Sequence, residues 1–111
     1  MRCSKCDGDM KEIDCEGVIV DRCADCHGLW FDSGEAEQMS RRWIAEFIDT
    51  GDPAVGHKLD EIDTIPCPRC GETMKRMFDL EAGNIQFEQC DEHGQFFDAG
   101  EFTLWAESQY L

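Results

Sequence analysis

Cys23-Ala24-Asp25-Cys26-His27-Gly28-Leu29-Trp30-Phe31-Asp32-Ser33-Gly34-Glu35 returns later in the chain as Cys90-Asp91-Glu92-His93-Gly94-Gln95-Phe96-Phe97-Asp98-Ala99-Gly100-Glu101. Between His27–Glu35 and His93–Glu101, six of nine positions are identical at a constant offset of 66. Agreement of that length marks a duplication rather than shared composition. Each copy also carries an earlier pair of candidate ligands. Cys3-Ser4-Lys5-Cys6 precedes the first, giving C-x2-C-x16-C-x2-C, and Cys67-Pro68-Arg69-Cys70 precedes the second, giving C-x2-C-x19-C-x2-H.

Between the paired ligands each copy reads as a hairpin. Met10, Ile13 and Cys15 lead to Glu16-Gly17, and Val18-Ile19-Val20 follows. β-Branched residues around a central glycine predict strand, turn, strand. In the second copy Met74, Met77, Phe78 and Leu80 lead to Ala82-Gly83-Asn84, after which Ile85 and Phe87 alternate with Gln86 and Glu88. This hairpin is the longer one, as its wider ligand spacing requires.

Helix signals follow. Asp32-Ser33-Gly34-Glu35 and Asp98-Ala99-Gly100-Glu101 both fit a capping box. Ala36, Met39, Trp43 and Phe47 then recur at helical intervals, with Ile44 and Ile48 beside them and Gly51 as a stop. The last helix carries Phe102, Trp105 and Ala106 towards Tyr110 and Leu111. Asp52-Pro53 and Gly56 break the segment between, where Leu59, Ile62 and Ile65 offer tacking points and Lys58 to Ile62 a short helical turn. The expected organisation is therefore a first zinc ribbon plus helix over 1–49, a linker over 50–65, and a second ribbon plus helix over 66–111. The fold class is small metal-bound α+β, two tandem ribbons each made of a hairpin with two zinc knuckles and a following helix.

Each half alone is too short to bury much apolar surface, so an extra staple is expected. The chain has 111 residues, and domains below roughly 60 residues are marginal without a disulfide, a metal or a partner. Met1 is followed directly by Arg2 and Cys3, with no apolar stretch of signal length, and no run approaches the ~18 apolar residues of a membrane span. The expected compartment is the reducing cytosol, where paired cysteines serve metal more often than disulfides.

Zinc accepts tetrahedral sulfur and nitrogen donors, and a C-x2-C turn aims both sulfurs at one ion while its backbone N–H groups stabilise the thiolates. Cys3, Cys6, Cys23 and Cys26 form one ligand set, and Cys67, Cys70, Cys90 and His93 the other. Two structural zinc ions per chain are expected; iron is the alternative for the all-sulfur site. Four protein ligands close each shell, which marks structural rather than catalytic metal. No nucleophile triad, phosphate loop or metalloprotease motif accompanies them, so no catalytic residue is assigned and the chain reads as a non-enzyme.

Other residues have plainer readings. His27 competes with Cys26 for the fourth position, but Cys26 and His93 are both third after the first cysteine of their knuckle, which favours Cys26. Cys15 reads as a small apolar strand residue and His57 as a solvated linker residue. Asp32, Glu35, Asp98 and Glu101 resemble acid–base pairs, yet helix capping accounts for them. Of Trp30, Phe31, Phe96 and Phe97, at least one ring of each pair is expected to pack a helix onto its ribbon. Trp43, Ile44, Phe47 and Ile48 exceed what a small ribbon covers and suggest the second helix, a homodimer or a partner as their cover.

The pattern C-x-x-C, hairpin, C-x-x-C-x-G-x-W-x-D-x-G-E resembles the transcription-factor-IIB-like zinc-finger domain family. Cys3, Cys6, Cys23, Cys26, Gly28, Trp30, Asp32, Gly34 and Glu35 carry the resemblance in the first copy. Cys67, Pro68, Cys70, Cys90, Gly94, Asp98, Gly100 and Glu101 carry it in the second. Ser4, Phe96 and His93 depart from the family pattern. The resemblance implies zinc binding and a ribbon fold, and the family name points to nucleic acid or transcription.

Charge weighs against direct contact with nucleic acid. The net charge is −15, and bound zinc does not relieve it, since seven cysteine ligands lose seven protons while two ions return four charges. Within the first ribbon Arg2, Lys5, Lys11 and Arg22 face Asp7, Asp9, Glu12, Asp14, Glu16 and Asp21; within the second, Arg69, Lys75 and Arg76 face Glu72, Asp79, Glu81 and Glu88. Neither ribbon is net positive, and DNA reading rests on a basic footprint. The leading expectation is a zinc-binding protein-interaction or regulatory adaptor. The alternatives are a transcription-related factor that touches nucleic acid or RNA polymerase, and a zinc or redox sensor.

Overall fold

A computed structural model of the chain describes residues 1–15, 17–39, 48–51, 65–79 and 85–108. Trp43, Ile44 and Phe47, the linker positions His57, Leu59 and Ile62 with the turn at Lys58, the second hairpin's Leu80 and Ala82-Gly83-Asn84, and Tyr110 and Leu111 lie outside the described residues.

The first hairpin forms where alternation and turn chemistry predict it. Strand β1 (Met10–Cys15) pairs antiparallel with β2 (Val18–Cys23), with Ile13 opposite Val20 and Cys15 opposite Val18. Gly17 has φ +86, and its N–H donates to the Asp14 carboxylate at 2.9 Å. This is the left-handed conformation a tight turn asks of glycine. In the second copy, β4 (Lys75–Asp79) pairs with β5 (Ile85–Cys90), Met77 opposite Phe87.

Each copy adds a third strand that the sequence reading assigned to no element. Leu29–Asp32 forms β3, between the knuckle and helix α1 (Glu35–Gln38), and Gly94–Phe97 forms β6. They pair with each other, Leu29 opposite Phe97 and Trp30 opposite Phe96. The result is one antiparallel six-stranded sheet in the order β1-β2-β3-β6-β5-β4. The seam between the copies is thus a strand pair inside a continuous sheet. The chain closes with α2 (Glu101–Ser108), while the helix expected after the first ribbon is described only in α1 and at Ile48.

Alternation along the central strands gives the sheet two apolar faces. One carries Leu29, Phe31, Ile85, Phe87 and Phe97 and packs against Ala36, Met39, Ile48, Phe102, Trp105 and Ala106. Phe97 sits in its middle, stacked on Phe87 at 4.8 Å between centroids and edge-on to Phe31 at 5.7 Å and Phe102 at 5.3 Å. Such ring pairs add about 0.5–1.5 kcal/mol beyond the area they bury. The other face carries Trp30, Phe96 and Cys23 and is covered by Cys3, Cys26, Ile65, Cys67 and Met74. Both rings of each aromatic pair are therefore used: Phe31 and Phe97 face the helices, Trp30 and Phe96 face the knuckles. Among the described residues, each core draws on both halves of the chain. No helix among the described residues is long and apolar enough to cross a membrane.

Candidate metal centre

The two N-terminal knuckles have the same backbone. Cys3 N–H donates to Gly8 O at 2.8 Å and Asp7 N–H to Cys3 O at 3.0 Å; Cys67 N–H donates to Glu72 O at 2.7 Å and Gly71 N–H to Cys67 O at 2.9 Å. Short bridges, Arg2 with Asp9 and Pro66 with Thr73, close their bases. The C-terminal knuckles join β2 to β3 and β5 to β6. In all four, the residue after the second ligand has positive φ: Asp7 at 62°, His27 at 61°, Gly71 at 78° and Gly94 at 151°. The chain must reverse there so that both donors face the same point, and two of the four positions accept this without glycine.

These turns gather two donor groups. Cys3, Cys6, Cys23 and Cys26 have their sulfurs within 4.8 Å of one another, and so do the donor atoms of Cys67, Cys70, Cys90 and His93. Sγ–Sγ separations are 3.7 Å for Cys3–Cys26, 3.3 Å for Cys6–Cys23 and 3.9 Å for Cys70–Cys90, and Cys90 Sγ lies 3.4 Å from His93 Nδ1. A tetrahedral zinc with Zn–S of about 2.3 Å places its sulfurs about 3.8 Å apart, whereas a disulfide requires about 2.05 Å. None of the eight cysteines is joined in a disulfide. N–H groups of Asp25 and Gly28 point at Cys23 and Cys26 Sγ, and that of Arg69 at Cys67 Sγ, each at 3.4 Å. The donor sets, spacings and amide shells fit two structural zinc ions.

Crowding shows in the thiols. Cys3, bonded to Cys26, is drawn down to about 5, while the same contact followed by burial drives Cys26 upward. Burial pushes Cys6 up to about 11 and raises Cys67. His93 draws Cys90 down to about 7. Neighbouring sulfurs cannot all ionise beside one another unaided; a divalent cation removes the conflict and displaces the remaining protons.

Cys26 lies in the first set, whereas His27 Nδ1 is turned to Thr50 Oγ1 at 3.3 Å. Cys15 is buried in the helix-side core, away from both sets. The two sets differ in exposure. Cys3, Cys23 and Cys26 are buried with Cys6 exposed, but in the second set only Cys67 is buried, with Cys70 exposed and Cys90 and His93 intermediate. The two N-terminal knuckles flank a cleft of about 670 Å³ lined by Arg2, Ser4, Lys5, Pro66 and Pro68 among others.

The acidic residues of the repeated motif do more than cap. Glu35 accepts from the Asp32 N–H at 3.0 Å, which is one half of the predicted box. The Asp32 carboxylate, however, accepts from Trp30 Nε1 at 3.0 Å and from both Nε and Nη2 of Arg69, at 3.0 and 2.9 Å. Both carboxylate oxygens of Asp32 are thus engaged by one guanidinium in a two-bond, charge-assisted contact. In the other copy Asp98 is bonded by Lys5, whose Nζ also lies 2.7 Å from Glu88, all three side chains at 0–2% exposure. Burial alone lowers the Lys5 pKa, but Asp98 and Glu88 outweigh it and hold the ammonium charged. Lys5 and Arg69 hold the same position between paired ligands, a repetition in the sequence that could have singled them out.

Asp49 has no such signal, since it lies at the edge of the expected linker. It accepts from the N–H groups of Gly100 and Thr103 at 2.8 and 2.9 Å, and from Thr103 Oγ1 at 2.9 Å, capping α2 from far away in sequence. Arg22 holds the adjacent Ile48 carbonyl at 3.1 Å. Gly51 stands three residues beyond Ile48, the last described helical residue, and serves close packing: a Cβ there would come within 2.5 Å of Ala99 Cβ and 2.6 Å of His27 Cβ.

No curated protein and no solved structure matches the chain. Residues 2–42, which hold the whole first donor set, match the family described as Transcription factor zinc-finger.

Proposed function

We propose that the chain is a zinc-stabilised, non-enzymatic module that acts on another protein as an interaction or regulatory adaptor. The observation that carries this reading is that each metal set is complete in protein ligands, which leaves no coordination position for a substrate or an activated water. The metal then serves folding, and function falls to the surface. That surface belongs to a chain of net charge −15, which favours a basic protein face over a phosphate backbone. Eight cysteines without a disulfide suit the reducing cytosol as the working compartment. Ile48 is buried in the helix-side core, so a homodimer, the alternative use of the apolar surplus, would rest on Trp43, Ile44 and Phe47.

The test is recovery of a partner from native cells, followed by reconstitution from purified components. The reading requires a one-to-one complex that weakens with salt, and no binding of random duplex DNA at moderate ionic strength. Salt-sensitive DNA binding without a protein partner would overturn it.

A second reading draws on the match of residues 2–42 to a transcription-factor zinc finger. In that case the partner is part of the transcription apparatus, and acidic residues bind its basic surfaces in place of DNA. Direct binding to purified RNA polymerase distinguishes this partner from others.

A further inference from the structure

Lys5 stands between the first-set ligands Cys3 and Cys6, and its ammonium is held by Asp98 and Glu88 of the second copy. Glu88 lies on β5, two residues before the second-set ligand Cys90. Arg69 stands between Cys67 and Cys70, and its guanidinium is held by Asp32, with Asp21 at 3.6 Å. Asp21 lies on β2, two residues before the first-set ligand Cys23. The same clasp is therefore made twice, in opposite directions: each N-terminal knuckle is fastened to the strand that delivers the other set's C-terminal knuckle.

We propose that Lys5 and Arg69 are positioning residues that couple the two zinc sites, so that metal bound at either one tightens the other. The proposal rests on the two-zinc reading of the donor sets. Without metal, the Cys3–Cys6 turn loses the tie to β2 and β3 that its sulfurs make through the ion. Its ammonium then loses the fixed place from which it neutralises two buried carboxylates. Glu88 and Asp98 lose a cation that offsets the cost of their burial, so β5 and the strap after β6 loosen, and Cys90 and His93 with them. In the other direction, Arg69 ties the second set to Asp21, Asp32 and so to Cys23. Linkage makes the effect equal in both directions.

The test uses the full chain and cobalt(II), whose thiolate charge-transfer and ligand-field bands distinguish an all-sulfur site from a mixed one, in competition with a chelator. Three measurements define the outcome. Emptying the second site with Cys70→Ser and His93→Ala, which leaves Arg69 and Glu88 in place, is expected to weaken metal binding at the first site by about 5- to 150-fold. Arg69→Gln is expected to shrink that factor severalfold. Ile48→Val, a trim of the helix-side core outside β2 and β5, is expected to lower both affinities and leave the factor unchanged, which separates coupling from general destabilisation. Where Arg69→Gln fails to fold, Arg69→Lys, which keeps the charge but not the two-bond geometry, is read the same way. First-site affinity that ignores the state of the second, or a factor untouched by either Arg69 variant, overturns the coupling. Cobalt bound at one site or none in the unaltered chain overturns the two-zinc reading instead.

Discussion

The carboxylate of Asp32 meets the guanidinium of Arg69 along two parallel hydrogen bonds, Nε–Oδ1 at 3.0 Å and Nη2–Oδ2 at 2.9 Å, across 37 positions of sequence. By the internal repeat, Asp98 is its counterpart, and Lys5 holds that residue across 93 positions. The aspartate that opens each helix motif is thus a receptor for the basic residue of the opposite knuckle. The two clasps sit on either side of the β3–β6 seam and add a polar lock to a junction already made by strand pairing and shared cores.

The two locks differ in depth, and their removal should differ accordingly. Lys5, Asp98 and Glu88 have side chains at 0, 0 and 2% exposure. Lys5→Ala removes the ammonium from between two buried carboxylates and is expected to cost about 3–5 kcal/mol. Arg69 and Asp32 are 41 and 40% exposed, so Arg69→Ala is expected to cost about 1 kcal/mol or less. Urea unfolding of the zinc-loaded variants measures both; equal losses would contradict the difference in burial.

Gly94 closes the seam. A Cβ there would lie 2.0 Å from Phe31 O and 2.9 Å from Asp32 Cα, both backbone atoms of the facing strand, at φ +151. Gly94→Ala must therefore push β3 and β6 apart, with an expected loss above about 3 kcal/mol. Gly17 also has positive φ, but nothing lies within 4 Å of its Cβ position, so Gly17→Ala is expected to cost only about 1–2 kcal/mol. Thermal unfolding of the two variants separates backbone collision from conformational preference.

Much of the site was legible because ligand spacing is a local property. C-x2-C turns and a hairpin between them specify where each donor points, and Cys3, Cys6, Cys23 and Cys26 gather as such spacing implies. The seam was not legible. Leu29–Asp32 and Gly94–Phe97 are four residues each, too short for an alternation signal, and their pairing partner lies in the other copy. Asp32 was readable as a cap because capping is local, whereas Arg69 reaches it only through the folded chain. Asp49 is one acid among 25 acidic residues, and only the position of α2 distinguishes it.

That role of Asp49 is open to direct measurement. Its carboxylate binds the Gly100 and Thr103 amides at the start of α2. Asp49→Ala is expected to cost about 1–2 kcal/mol. Hydrogen exchange should quicken at Gly100 and Thr103 while the amides of β2 stay protected. Unchanged exchange at those two amides would rule out the cap.

The metal sites should not be equally durable. Cys70 is exposed and Cys90 and His93 half-exposed, whereas three of the four first-set ligands are buried. A chelator is expected to strip the mixed site first, with the all-sulfur site following more slowly. Stopped-flow release from the cobalt-loaded chain would show the mixed-site bands fading before the all-sulfur bands; the reverse order would mean that ligand exposure does not govern release.

Metal holds the four knuckles together over one face of the sheet, the face that carries Trp30 and Phe96. The most direct measurement is elemental analysis of the purified chain, coupled to circular dichroism as a strong chelator is added. Two zinc ions per chain are expected, with a loss of ordered structure as they leave that is regained when zinc is returned. A chain that keeps its fold with both sites emptied, or whose ligand cysteines are joined as disulfides, would contradict it.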